Sequence, residues 1–137
     1  MPRELLVKEI RNIKLVYLEK NTSVFDAARM MREKRTSSIL VLDKNTLAGI
    51  VTGRDIVQKV VCGELKPRET TLNQIMSSPV KSIDSQKTLV EAARMMRDTG
   101  IKKLAVVEDR QLIGIVTEKD IIEILPALYG PELPHID

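Results

Sequence analysis

The sequence predicts a mixed α/β (α+β) fold in which one strand–helix–strand–strand–helix unit occurs twice. The two copies are expected to pack sheet to sheet about a pseudo-twofold axis. Three observations predict this. First, Leu47-Ala48-Gly49-Ile50-Val51-Thr52-Gly53-Arg54-Asp55-Ile56 returns 65 residues later as Leu112-Ile113-Gly114-Ile115-Val116-Thr117-Glu118-Lys119-Asp120-Ile121. Second, Ser23–Val60 aligns without a gap on Thr88–Leu125, and Ala27-Ala28-Arg29-Met30-Met31-Arg32 equals Ala92-Ala93-Arg94-Met95-Met96-Arg97 residue for residue. Third, each copy passes from helical spacing of apolar residues to short continuous apolar runs. The repeat bounds a first unit at 6–62, a linker at 63–70, a second unit at 71–125 and a C-terminal tail at 126–137. A unit of roughly 60 residues buries little core alone, so the two copies are expected to fold together.

The elements follow in chain order. Val7-Lys8-Glu9-Ile10-Arg11-Asn12 corresponds to Leu72-Asn73-Gln74-Ile75-Met76-Ser77, and both read as a short helical turn that opens its unit. Thr71 with Gln74 has capping-box spacing. Residues 14–18 and 80–83 read as short strands, the second kept extended by Pro79. Ser23 and Thr88 are N-cap candidates for the long helices, with Asp26 and Glu91 three residues on. Val24, Ala27, Ala28 and Met31, and likewise Leu89, Ala92, Ala93 and Met96, form a stripe of helical period, whose alanines allow close packing on a sheet. Gly100 ends the second long helix, and Arg35 takes that place in the first. Residues 38–42 and 103–107 are apolar enough for strands buried on both faces. The turns Asp43-Lys44-Asn45 and Glu108-Asp109-Arg110 lead into the repeated segment. Asp55–Val61 and Asp120–Leu125 are expected as closing helices, with Pro126 stopping the second and 127–137 irregular.

Composition narrows the function. Of 137 residues, 43% are hydrophobic and 30% charged, the pattern of a globular domain. Charges interrupt every apolar run, and Met1-Pro2-Arg3-Glu4 lacks a signal-peptide core, so the expected compartment is the cytoplasm and no membrane is expected as a partner. The single cysteine, Cys62, excludes an intrachain disulfide and a cysteine-based metal site. It reads as a small apolar filler. Net charge is +3, with acidic and basic residues interspersed, and aromatics are scarce, so nucleic acid is not an expected partner. No Ser or Cys stands with a His at a plausible site, no metal-ligand cluster occurs, and no glycine-rich phosphate loop is present, so no enzyme is expected. His135 lies in the tail and receives no role. Gly49 and Gly114 are lone strand glycines, expected where a neighbour or ligand approaches the backbone closely.

The candidate site is the strand-to-helix junction that each repeated segment forms. Thr52 and Asp55, and Thr117 and Asp120, put a hydroxyl and a carboxylate beside free backbone N–H groups at a positive helix end. Such a junction can hold an anionic, hydroxylated ligand. The alternative is structural: Asp55 and Asp120 as helix N-caps, Thr52 and Thr117 as hydroxyls satisfying local backbone. Arg54 and Lys119 lie inside the motif and are either ligand-facing or merely exposed.

Leu-x-Gly-Ile-Val-Thr-x-x-Asp-Ile, preceded by Ala-Ala-Arg-Met-Met and an apolar strand ending in Asp43 or Glu108, resembles the signature of the cystathionine β-synthase (CBS) domain. The tandem pair resembles a Bateman module, here as a stand-alone CBS-domain protein. The resemblance covers roughly 6–125 and implies an adenosine-containing regulatory ligand (AMP, ADP, ATP or S-adenosylmethionine) in the cleft between the two units, with no cofactor required. It implies that Asp55 and Asp120 hold ribose hydroxyls and that Thr52 and Thr117 contact phosphate or ribose. Basic residues before the middle strand reach phosphates in the gamma subunit of AMP-activated protein kinase. The matching positions here are Lys102 and Lys103 in the second unit but Ser37 and Ser38 in the first. The cleft receiving the lysines should therefore favour a phosphorylated ligand, although the pair also reads as ordinary solvated lysines. Modules of this kind pair as flat homodimers and regulate a partner protein, which points to an energy or metabolite sensor. A ligand-independent dimerising scaffold, whose tail docks on a partner, is the alternative. Met30, Met31, Met95 and Met96 are expected in core and dimer-face packing.

Overall fold

The computed structural model describes residues 4–11 and 15–129. Its elements are α1 (Val7–Ile10), β1 (Tyr17–Glu19), α2 (Val24–Lys34), β2 (Ser38–Asp43), β3 (Thr46–Thr52) and α3 (Gly53–Asp55), which runs on as a π-helix over Ile56–Val61. A 3₁₀ turn at Pro67–Glu69 precedes α4 (Leu72–Ile75), β4 (Ser82–Asp84), α5 (Leu89–Thr99), β5 (Lys103–Glu108), β6 (Gln111–Thr117) and α6 (Glu118–Tyr129). The architecture is mixed α/β with two three-stranded sheets, one per repeat, in the orders β1-β2-β3 and β4-β5-β6.

Both sheets have the same internal register. The first two strands of each are parallel, joined through the long helix, and the second pair is an antiparallel hairpin. Each hairpin turns on two residues with positive φ, Lys44 (50°) and Asn45 (66°) or Asp109 (50°) and Arg110 (65°). Two successive positive φ values match the twist of the flanking strands. Each hairpin also carries an irregularity at the same place, between Val41 and Leu42 or Val106 and Val107.

The long helices start and stop where the sequence predicts. Ser23 Oγ accepts from Asp26 N–H at 3.1 Å, and Thr88 Oγ1 from Glu91 N–H at 3.1 Å, so each cap satisfies one orphan donor of the first turn. Arg35 and Gly100 close them in the left-handed region at φ 53° and 72°.

By contacts the chain divides into two compact units, Leu15–Val80 and Lys81–Asp137 with Met1–Lys14. The repeat in the sequence and the packing in space thus draw different lines. The turn α1, which opens the first repeat, packs in the unit of the second sheet. There Val7 N–H donates to Lys87 C=O and Leu89 N–H to Leu5 C=O, both at 2.8 Å. The turn α4 packs in the unit of the first sheet through Leu72 N–H to Thr22 C=O (2.9 Å) and Val24 N–H to Thr70 C=O (2.8 Å). Each unit therefore has an equivalent core. One holds Val24, Ala27, Ile39, Val41, Val51, Val60, Leu72 and Ile75. The other holds Val7, Ile83, Leu89, Ala92, Met96, Leu104, Val106, Val116 and Ile121.

Four local expectations need correction. The closing helices begin at Gly53 and Glu118, two residues before each Asp, because Thr52 and Thr117 are the residues that cap them. Pro126 does not stop α6, which continues to Tyr129. A proline removes one backbone donor, and this helix proceeds past the gap. Ala127–Tyr129 are accordingly helical rather than irregular, and the rest of the tail, with His135, lies outside the described residues. Cys62 is exposed rather than a core filler.

Candidate functional site

Each junction is built from a strand end, a tight turn into a helix and the neighbouring strand. At the first, Thr52 N–H donates to Asp55 Oδ2 at 2.8 Å, Thr52 Oγ1–H to the same oxygen at 3.2 Å, and Asp55 N–H to Thr52 Oγ1 at 3.4 Å. At the second, Thr117 N–H donates to Asp120 Oδ2 at 2.8 Å, and Asp120 N–H to Thr117 Oγ1 at 3.1 Å. Thr is thus the N-cap and Asp the third helical residue of a reciprocal capping box. The expectation of Asp as N-cap is corrected by one turn of geometry: the shorter Thr hydroxyl reaches the N3 amide, and the Asp carboxylate reaches back. The arrangement fixes each carboxylate at the mouth of its junction. Asp55 is sequestered, its side chain 13% exposed.

The preceding strand adds a carbonyl and a side chain. Ser37 C=O accepts from Gly53 N–H (3.2 Å), and Lys102 C=O from Glu118 N–H (2.9 Å). Lys102 contributes its main chain to the junction, and its residue is exposed. Ser38 pairs with Thr52 across the hairpin, and Lys103 pairs with Thr117. Lys103 is half-buried, and that burial pushes its ammonium below the usual lysine range, with the Asp120 carboxylate opposing the shift. A lysine near the Asp120 carboxylate is the electrostatic difference that β5 makes between the two junctions. Arg54 is exposed. Lys119 pairs with Glu123 at 3.7 Å on the solvent side of α6, both side chains being mostly exposed.

Gly49 and Gly114 behave as the sequence predicts. A Cβ on Gly49 would stand 2.6 Å from Met76 Sδ and 2.8 Å from the Ser77 carbonyl oxygen; one on Gly114 would stand 2.7 Å from Arg11 Cδ and Cγ. Met76 and Arg11 hold equivalent places after α4 and α1. Arg11 also donates from Nε to Ile113 C=O at 2.8 Å and from a terminal nitrogen to Lys8 C=O, which pins the chain after α1 to β6.

Sequence reasoning missed Lys59. Its Nζ lies 3.3 Å from Asp55 Oδ1 and donates to Ile75 C=O at 2.7 Å. The signal available was its spacing, four residues after Asp55, where the second repeat has Ile124. Among the described residues, no group of three or more His, Cys, Asp or Glu is placed to hold a metal ion, and no helix is long and apolar enough to cross a membrane.

Two sheets of identical register, each delivering a Thr-x-x-Asp capping box, define a tandem repeat of one domain type. The CBS domain profile matches residues 7–61 and 72–127, and the chain belongs to the CBS domain family as a tandem pair. An uncharacterised protein of Methanopyrus kandleri is 34% identical over 130 residues, covering 93% of this chain and 66% of that protein. An uncharacterised 33.4 kDa protein in the ribosomal RNA operon of Thermofilum pendens is 34% identical over 93% of this chain and 46% of its own length. The chain therefore spans less than two thirds of these relatives. Among solved structures, a hexameric CBS-CP12 protein from bloom-forming cyanobacteria superposes with a TM-score of 0.84 at 27% identity, covering 96% of this chain and 74% of that one.

Proposed function

We propose that this CBS pair binds an adenosine-containing ligand at its Thr-x-x-Asp junctions and acts as an energy or metabolite sensor. AMP, ADP or ATP are the favoured ligands, with S-adenosylmethionine as a further member of the class. The observation that supports the reading is the repeated capping box. It presents the same carboxylate twice, held in place by the Thr N–H, where a ribose diol can donate to it. Lys103, beside Asp120, supplies the cation that a phosphate needs, with Lys102 next to it on the exposed side. The second junction is accordingly the phosphate-bearing one, and Ser38 leaves the first without that charge. Thr52 and Thr117 offer their hydroxyls, and Arg54 and Lys119 stand at the periphery. Regulation then follows from differential ligand affinity for two arrangements of the protein, passed to a partner protein. No catalytic step is assigned. The protein is read as a cytoplasmic homodimer. Val57 (56% exposed) and Ile122 (57%), which hold equivalent places on the closing helices, support a dimer face.

The test is a thermal-shift panel with AMP, ADP, ATP, S-adenosylmethionine, NAD and guanosine controls. A ligand at about 100 times its dissociation constant adds roughly 2.7 kcal/mol, which moves the midpoint by several degrees. Asp55→Asn with Asp120→Asn keeps an acceptor for the Thr N–H and is expected to abolish the shift. An unchanged shift in that double variant, or no adenosine-dependent shift at millimolar ligand, refutes the reading and leaves the dimerising scaffold.

A further inference from the structure

The two closing helices occupy equivalent places in their units, yet only the first is a π-helix. In Ile56–Val61 the Cys62 N–H donates to Val57 C=O, five residues back, at 3.0 Å. Wide turns of this kind are rare and concentrate at functional sites. Here their cause is legible. In α6 the core-facing residues are Ile121 and Ile124, three apart. The first repeat has Ile56 in the place of Ile121 but Lys59 in the place of Ile124. An α-helical register would turn that lysine into the core. The wider turn skips it: Ile56 and Val60, four apart, face inward, and Val60 is 1% exposed. Leu125, the counterpart of Val60, is 39% exposed.

Lys59 is thereby aimed at the junction. Its ammonium is anchored on Ile75 C=O and bridges to Asp55 Oδ1, while Thr52 holds Oδ2 with its N–H and O–H. Both oxygens of Asp55 are engaged. At the second junction Ile124 cannot make such a clamp from its own helix.

We propose that Lys59 is a latch on the first junction: it sets the π register, and its ammonium covers Asp55, so that this carboxylate meets a hydroxyl-bearing ligand only when Lys59 lets go. At the second junction the closing helix has Ile124 in that place, so no release from its own helix is required. The identity of the ligand rests on the nucleotide reading above, whereas the register does not.

The experiment reads the acceptor of the Cys62 amide by through-hydrogen-bond coupling in isotope-labelled protein. Lys59→Ile, which copies the second repeat, is expected to move that acceptor from Val57 to Gln58, the α-helical partner. Should the isoleucine variant fold poorly, Lys59→Ala makes the same reading without added bulk. Retention of Val57 as acceptor in the folded variant overturns the proposal. AMP is then titrated while the amides of Asp55 and Asp120 are followed separately. In wild type the Asp120 amide responds first. In Lys59→Ile the Asp55 response shifts to about fivefold lower AMP, the scale of one partly exposed ion pair. An unshifted Asp55 response overturns the latch even where the register has changed. If AMP moves neither amide in any variant, the nucleotide reading fails on its own, and the Cys62 acceptor still decides whether Lys59 sets the π register.

Discussion

Truncating Val7 should injure the second sheet rather than the first, although Val7 belongs to the first repeat. Its side chain is fully buried among Ile83, Leu89, Leu104 and their neighbours. Val7→Ala removes two methyl groups from that core. At about 25 cal/mol per Å² of apolar area, plus the cavity left behind, the loss is about 1–3 kcal/mol. Leu72→Ala is the mirror experiment, in the core around Val24, Ile39 and Val51, and costs about 2–5 kcal/mol. The assay is native-state hydrogen exchange read by mass spectrometry, because it resolves stability by segment. Val7→Ala is expected to lower protection in β4–β6 and α5 more than in β1–β3 and α2, and Leu72→Ala to do the reverse. Larger losses in β1–β3 for Val7→Ala would refute the assignment of α1 to the second sheet's unit.

Two further outcomes follow from the junctions. Gly49→Ala should be costlier than Gly114→Ala, by thermal denaturation: its new methyl meets the Ser77 carbonyl, which belongs to the backbone, whereas the methyl on Gly114 meets side-chain carbons of Arg11, which can shift at the cost of that side chain's hydrogen bonds. An equal or reversed order contradicts this. Lys103→Met should raise stability near neutral pH, because the folded protein holds a half-buried ammonium at a cost. The lowered pKa means that the unfolded chain keeps its proton to higher pH than the folded one, up to the ordinary value of 10.5. Wild-type stability from this group therefore rises with pH through that window. The advantage of the variant should shrink as pH approaches 10.5, and chemical denaturation across pH would show a widening gap if the reasoning is wrong.

Local order was legible in the sequence because it depends on residues a few positions apart. The capping pairs Ser23/Asp26 and Thr88/Glu91 and the helix stops at Arg35 and Gly100 stand where spacing put them, and the hairpin turns fall where expected but hold two residues each, because Asp43 and Glu108 belong to their strands. The glycines of β3 and β6 announced a close neighbour, and the neighbours proved to be Met76 and Arg11. The Thr-x-x-Asp pairs were recognised, but their roles within the cap were exchanged, since spacing alone does not say which side chain reaches which amide. Pro126 shows the limit of a residue rule: a proline weakens a helix locally, and α6 continues through it.

By itself, then, the sequence determined the repeat, the strand and helix order of each copy, and the pairing of a hydroxyl with a carboxylate at each junction. These follow from periodicity and short-range hydrogen bonding, which a linear chain carries on its face. Only the tertiary structure decided that α1 completes the core around Ile83 and α4 the core around Ile39. An apolar turn such as Val7–Ile10 fits either sheet equally well by composition, and long-range packing makes the choice. Tertiary packing also decided that Lys59 would leave the core and Val60 enter it. Burying the valine while keeping the ammonium on polar partners outweighed the regular α-helical register, and that balance turned a harmless-looking substitution for Ile124 into a clamp on Asp55.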